Sequence, residues 1–235
     1  MTTATGETPS VLCFDATGTL IELRESVGEI YHRVALEFGV SLPAWRLDDA
    51  FKRVLRHAPP LGTEGENEAA RRAAEPEWWA ERIRQTFQAT DSSVQFPDFP
   101  AFAATLFETF EDDALWRVCP GIPELLTQLA DRGHPLCVIS NFDHRLPKIL
   151  QATDLAQFFK AILLPAKVGA TKPERPLFEV AAASFGVPLS ALTYLGDDPP
   201  ESMDAIRAHG VCALDIRALL ALPEVPNPIE EAASL

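Results

Sequence analysis

The sequence predicts an α/β fold built on a doubly wound parallel sheet, with a helical domain inserted into it. Two patterns carry that prediction. Short, almost continuously apolar runs alternate with amphipathic helical patterns over most of the chain, and the alternation stops over one long stretch in the N-terminal half. The 235 residues, 47% hydrophobic and 23% charged, suit one good-sized globular unit or a core domain carrying an insertion.

The apolar runs are Val11–Asp15, Pro135–Ser140, Ala161–Pro165, Leu192–Asp197 and Val211–Ile216. Each ends near polar residues or glycine, as strands buried on both faces do. Between the later runs lie helical patterns at Pro123–Asp131 (after the turn Pro120-Gly121), His144–Ala152, Glu174–Phe185 and Glu201–His209, each punctuated by glycine or proline. Such β/α units wind into an open parallel sheet whose ligands sit beyond the carboxyl ends of the strands. The stretch from about Ile21 to Trp116 shows no convincing strand. It carries helical patterns at Gly28–Phe38, Ala44–His57, Asn67–Phe87 and Pro100–Phe110, with a Pro- and Gly-rich connection at Ala58–Glu66. Residues 1–21 and 117–235 are therefore expected to form the core, residues 22–116 the insertion, and Leu222–Leu235 a tail.

Charge and cysteines narrow the function classes. Lys+Arg of 20 against Asp+Glu of 34 leaves a formal charge of −14, which repels phosphate backbones, so neither nucleic acid nor an anionic membrane is expected as a partner. Cys13, Cys119, Cys137 and Cys212 are scattered without a CxxC pair, which reads as reduced thiols. Met1–Ser10 lacks an apolar signal region and no apolar run approaches the roughly 20 residues of a membrane span. A cytoplasmic monomer or homodimer is the expectation.

Polar residues at the strand ends are the candidates for chemistry. The first run ends in Phe14-Asp15-Ala16-Thr17-Gly18-Thr19-Leu20, an acid leaving a buried strand into a glycine turn; it either caps the next segment or does chemistry. The second run ends in Ile139-Ser140-Asn141, offering a hydroxyl and a backbone N–H to an anionic oxygen. Lys172 opens a helix, where the dipole disfavours a cation, so it is expected to neutralise a phosphate or the acid. The fourth run ends in Gly196-Asp197-Asp198, adjacent carboxylates that repel unless a cation or hydrogen bonds offset the repulsion; oxygen clusters of this kind suit Mg²⁺.

Taken in chain order, Asp15-x-Thr17-Gly18-Thr19-Leu20, Ser140, Lys172 and Gly196-Asp197-Asp198 resemble the four motifs of the haloacid dehalogenase-like (HAD) hydrolases, and the resemblance covers nearly the whole chain. The insertion resembles the C1-type cap of that superfamily. Val27-Gly28-Glu29-x-Tyr31, Trp78-Trp79 and Ser140-Asn141-Phe142-Asp143 are similar to its branch of haloacid dehalogenase-like hydrolase domain-containing proteins.

The resemblance implies a Rossmann-like core and covalent phosphoryl transfer from a small phosphorylated substrate. Asp15 is implied as nucleophile, Mg²⁺ as cofactor held by Asp15, the Thr17 carbonyl and Asp197, with Asp198 completing or orienting that shell. Ser140, Asn141 and Lys172 are implied as the phosphate cradle.

Two departures qualify this. Most HAD phosphatases carry a second acid two residues after the nucleophile to protonate the leaving alcohol; here Thr17 stands there, and general acid catalysis typically contributes about 10²–10⁴-fold. Ser202 stands where a further acid is common, with Asp198 as its replacement and Asp204 expected to face elsewhere. The Asp-x-Thr-Gly-Thr-Leu form is similar to that of ion-pumping ATPases, whose leaving group needs no proton; an acyl phosphate, phosphoanhydride or aryl phosphate is the corresponding substrate class.

The alternatives are a metal-free 2-haloacid dehalogenase, with Arg46 of Trp45-Arg46 as its cap arginine, and a non-catalytic HAD-fold binding protein. Trp78, Trp79, Phe87, Phe107 and Phe110 are expected in the core of the insertion. His144 and Arg145 lie near the site, and Cys13 is expected as packing.

Overall fold

The computed structural model describes residues 10–220; the expected tail at Leu222–Leu235 lies outside them. Five parallel strands form the central sheet: β1 (Val11–Phe14), β4 (Leu136–Ile139), β5 (Ala161–Leu163), β6 (Leu192–Gly196) and β7 (Cys212–Asp215), in the order β5-β4-β1-β6-β7. All five match the apolar runs to within a residue or two at each end. The chain moves outward from β1 in both directions, so the strand order reverses there, and an open sheet presents its ligand crevice at that place.

Burial on both faces explains why these strands read as continuous apolar runs. Leu12 and Phe14 of β1, with Leu136, Val138 and Leu195, pack on one side with Leu126 and Leu129 of α5 (Ile122–Asp131) and Ile149 of α6 (Leu146–Ala152). Val11 and Cys13, with Cys137, Ile139 and Tyr194, pack on the other. There they meet Leu177 and Phe178 of α8 (Arg175–Phe185) and Met203 and Ile206 of α9 (Pro200–Ala208). Alternate residues thus face alternate layers. Cys13 and Cys137 stand in register on β1 and β4, both free thiols in the second layer, and Cys13 packs there as expected.

The inserted segment is helical, as expected: α1 (Val27–Glu37), α2 (Ala44–Arg56), α3 (Glu68–Thr90) and α4 (Phe99–Thr109). The expectation of no strand from Ile21 to Trp116 is corrected at its edges. β2 (Ile21–Leu23) and β3 (Trp116–Val118) pair antiparallel where the chain leaves and re-enters the core layer. Three residues each are too few to show a period-two pattern.

Local chemistry sets the start of α1. Ser26 accepts from the Glu29 N–H and the Glu29 carboxylate accepts from the Ser26 N–H, a reciprocal cap. At Gly28 a Cβ would stand 2.1 Å from the Ala44 carbonyl oxygen, so α2 can approach this closely only over glycine. The Gly28 N–H in turn donates to Asp48 Oδ1 at 2.7 Å.

An aromatic cluster holds the four helices. Phe87 stacks on Tyr31 at 5.9 Å and meets Phe96 and Phe102 edge-on at 5.1 and 5.2 Å. With 1% of Phe87 exposed, truncation to alanine leaves a cavity among three rings. Phe87→Ala is expected to lower unfolding free energy by about 3–5 kcal/mol, read as a shift of the urea midpoint; a loss below about 1 kcal/mol would show that the ring cluster does not tie the helices together.

Candidate active site

The register of the sheet gathers the predicted residues. Phe14 stands opposite Val138 on β4 and Leu195 on β6, so the positions that follow these strands open on one edge. Asp15, Ser140, Asp197 and Asp198 occupy that edge. The Asp15 N–H donates to the Leu195 carbonyl at 2.8 Å, which fixes Asp15 to the neighbouring strand.

Beyond Asp15 the backbone turns tightly. The N–H groups of Leu20 and Ile21 both donate to the Ala16 carbonyl, and the Gly18 N–H donates to the Ile21 carbonyl. Gly18 has φ +82°, and a Cβ there would stand 2.4 Å from Asp197 Oδ2. The backbone conformation calls for glycine, and a side chain here would displace the Asp197 carboxylate.

Lys172 is the electrostatic centre. Its Nζ lies 2.8 Å from Asp15 Oδ1, 3.1 Å from Asp198 Oδ2 and 2.5 Å from the Tyr194 hydroxyl, with only 3% of the side chain exposed. It does not open a helix: α8 begins at Arg175, so Lys172 stands in the preceding loop and the dipole argument does not apply to it. What holds it is Asn141, whose Oδ1 accepts from the Lys172 N–H at 2.7 Å while its Nδ2 donates to the Lys172 carbonyl at 3.1 Å.

The Tyr194 hydroxyl donates to Asp198 Oδ2 at 2.5 Å, so Asp198 is turned toward Lys172 and Tyr194. Ser140 is buried, and its Oγ accepts from the Phe142 N–H at 3.3 Å. Thr17 is exposed and lines the same cavity as Asp15, Ser140, Asn141, Lys172 and Asp198.

Burial pushes the Asp15 carboxyl above the ordinary carboxylate range, opposed by the Lys172 charge and reinforced by Asp198. Asp197 is also raised by burial, against the pull of Arg217. These groups fit a hard divalent cation. Asp15 and Asp197 supply carboxylates and Thr17 a carbonyl, oxygen donors of the kind Mg²⁺ prefers, and Gly18 keeps the space beside Asp197 clear of a side chain.

Glu75, Asp143 and His144 also offer ligand atoms within 4.8 Å of one another, but both Asp143 oxygens and Glu75 Oε2 have protein partners, while Glu75 Oε1 is buried without one. Asp143 accepts from Arg145 Nε and Nη2 and from Trp79 Nε1, at 2.8, 2.5 and 2.7 Å. Glu75 Oε2 pairs with His144 through its ring Nδ1 and its N–H. Arg145 Nη1 donates to the Phe107 carbonyl at 2.6 Å, which engages its guanidinium on the protein. This network ties α3 and α4 to the loop after β4.

Several expectations need correction. Trp78, Trp79 and Phe107 line the cavity and lie outside the insertion's core cluster, Phe110 lines the cavity while packing against that cluster, and Phe87 is core. Each is apolar on one side of a helix, and sequence does not say whether that side meets a core or a cavity. Arg46 is exposed beside Trp45, itself 65% exposed, and neither lines the cavity. Asp204 faces away and pairs with Arg207, as expected. Sequence reasoning missed Tyr194, for which the signal is a lone phenol in an otherwise aliphatic buried strand. It also missed the side-chain role of Asn141 and the Asp143–Arg145 pair.

Asp143→Ala would leave the buried Arg145 guanidinium without its counter-charge, a loss that typically costs about 3–5 kcal/mol. Urea unfolding should register that drop. A variant as stable as the wild type would show that the pair contributes nothing to the joint between the helices and the loop after β4.

Comparison with known proteins agrees with this geometry. A family model described as haloacid dehalogenase-like hydrolase matches residues 9–210. Haloacid dehalogenase-like hydrolase domain-containing protein 3 of Mus musculus is 30% identical over 194 residues, covering 80% of this chain and 73% of that protein. Among solved structures, the HAD-hydrolase YfnB from Bacillus subtilis, bound to magnesium, superposes with TM-score 0.67 at 16% identity, covering 94% of this chain and 91% of its own. The L-2-haloacid dehalogenase RSc1362 superposes with TM-score 0.67 at 18% identity, covering 97% and 99%. At these identities the two structures establish the fold. No helix among the described residues is long and apolar enough to cross a membrane. The chain belongs to the haloacid dehalogenase-like hydrolases, an enzyme family, within the branch of domain-containing protein 3.

Proposed function

We propose that the protein is a Mg²⁺-dependent phosphatase of a small phosphorylated substrate, working through a phosphoryl group carried on Asp15. The observation that carries the reading is the buried Lys172 ammonium at 2.8 Å from Asp15 Oδ1, a cation placed where a carboxylate and a phosphate must meet. Asp15 attacks phosphorus, the bond from phosphorus to the leaving oxygen breaks, and that oxygen departs with the electron pair. Water then attacks the phosphorus of the aspartyl-phosphate, returning the Asp15 carboxylate and releasing inorganic phosphate. The proton lost by that water reaches the departed oxygen through solvent.

Ser140 Oγ, the backbone at Asn141 and Lys172 hold the phosphoryl oxygens, and Asn141 also fixes the backbone of Lys172. Asp15, the Thr17 carbonyl and Asp197 would hold Mg²⁺, which would supply charge neutralisation between nucleophile and phosphate. Asp198, held by Tyr194 and Lys172, would complete or orient that ligand shell. Arg46, the cap arginine a dehalogenase reading needs, lies outside the cavity, which favours phosphorus over carbon as the centre attacked.

Thr17 sets the substrate's chemistry. A threonine hydroxyl cannot protonate a leaving alkoxide, so rate should depend steeply on leaving-group pKa. With Mg²⁺ present, p-nitrophenyl phosphate is expected to be turned over while glycerol phosphate is slower by roughly 10²–10⁴-fold, and Thr17→Asp is expected to shrink that gap. Equal rates on the two esters in the wild type would sink the reading of Thr17 and require another proton donor.

A further inference from the structure

The cavity above Asp15 has about 590 Å³ of space, and its two ends differ in chemistry. The phosphate end carries Lys172, Ser140, Asn141 and Thr17. Among the described residues, those lining it from the insertion carry no charge, and Tyr31 alone among them carries a hydroxyl. The indole donors among them are engaged elsewhere. The indole N–H of Trp78 donates to the Pro59 carbonyl, that of Trp79 to Asp143, and that of Trp116 to the Phe110 carbonyl, at 3.1, 2.7 and 3.1 Å. Arg145, the other cation on the wall, is held by Asp143 and the Phe107 carbonyl and lies over the Phe107 ring.

From this we infer that the substrate is a phosphoryl compound whose leaving group is an uncharged aromatic ring system, an aryl phosphate. The inference rests on the phosphoryl-transfer reading above and narrows it. A carboxylate or second phosphate on the leaving group would enter this space with no unpaired cation to meet it and only the Tyr31 hydroxyl as a donor from the insertion's side chains, and burying an unpaired charge is strongly disfavoured. That excludes phosphorylated hydroxy acids, phosphorylated amino acids and nucleoside di- and triphosphates as good substrates. The rings of Phe51, Trp78, Phe107 and Phe110 offer faces and edges to a flat aromatic group. The wall and Thr17 agree, because a phenolate-type leaving group is both apolar and able to depart unprotonated.

The test uses phosphonates, whose carbon–phosphorus bond the proposed reaction does not cleave, titrated calorimetrically into the full-length wild-type protein with Mg²⁺. 1-Naphthylphosphonate is expected to bind at least about 100-fold more tightly than phosphonoacetate, the order of discrimination a buried unpaired charge produces. Leu55→Arg, at a cavity-lining side chain that is 41% exposed and so tolerant of the change, should narrow that ratio by at least about tenfold by supplying the missing cation. Phosphonoacetate binding as tightly as the naphthyl compound, or neither binding, overturns the inference, whether or not the protein hydrolyses phosphate esters. Tight naphthylphosphonate binding without any hydrolysis of 1-naphthyl phosphate would instead overturn the hydrolytic reading and leave the aromatic preference of the cavity standing.

Discussion

The Lys172 ammonium, 2.8 Å from Asp15 Oδ1 and 3.1 Å from Asp198 Oδ2, is the contact on which the rest of the site depends. A parallel sheet buried on both faces brings its strand ends into a confined space, and here two of those ends carry three carboxylates, Asp15 after β1 and Asp197 with Asp198 after β6. Carboxylates taken from water and set beside one another are unstable as anions. An opposite charge about 3 Å away returns about 6 kcal/mol at an effective dielectric of about 20, before desolvation of either group is counted. Lys172 is itself positioned from both sides, its backbone by the Asn141 amide and its ammonium by the Tyr194 hydroxyl. The fold supplies the crowding, and this lysine makes the crowding tolerable and reactive.

The insertion contributes a different kind of constraint. Its helices close over the sheet edge through Trp79–Asp143, Glu75–His144 and Arg71, whose Nε donates to the Ala166 carbonyl at 2.6 Å. These polar ties use the hydrogen-bonding groups of the facing residues, and so the wall they leave toward Asp15 is aromatic and aliphatic. Attachment and selectivity are thus linked, because donors engaged in holding the two parts together are not available to a ligand.

Much of this was legible in the sequence because each signal was local. Strands buried on both faces read as apolar runs, and an acid, a hydroxyl or a pair of acids just past such runs marks the sheet edge. What was not legible depends on residues far apart in sequence. Asn141 reaches the backbone of Lys172, 31 positions on, and Trp79 reaches Asp143, 64 positions on. Nothing at Trp78 or Phe107 distinguishes a core ring from a cavity ring until the facing element is placed. β2 and β3 escaped notice because three-residue strands carry no readable period, and Tyr194 because a phenol on a buried strand is ordinarily packing.

The central claim is that Asp15 carries the phosphoryl group, and acid-quenched single-turnover mass spectrometry tests it most directly. With p-nitrophenyl phosphate and Mg²⁺, the peptide containing Asp15 should gain the mass of one phosphoryl group at early times and lose it as inorganic phosphate appears. Phosphate released while that peptide stays unmodified throughout, or a phosphoryl group found on a different residue, would contradict the account.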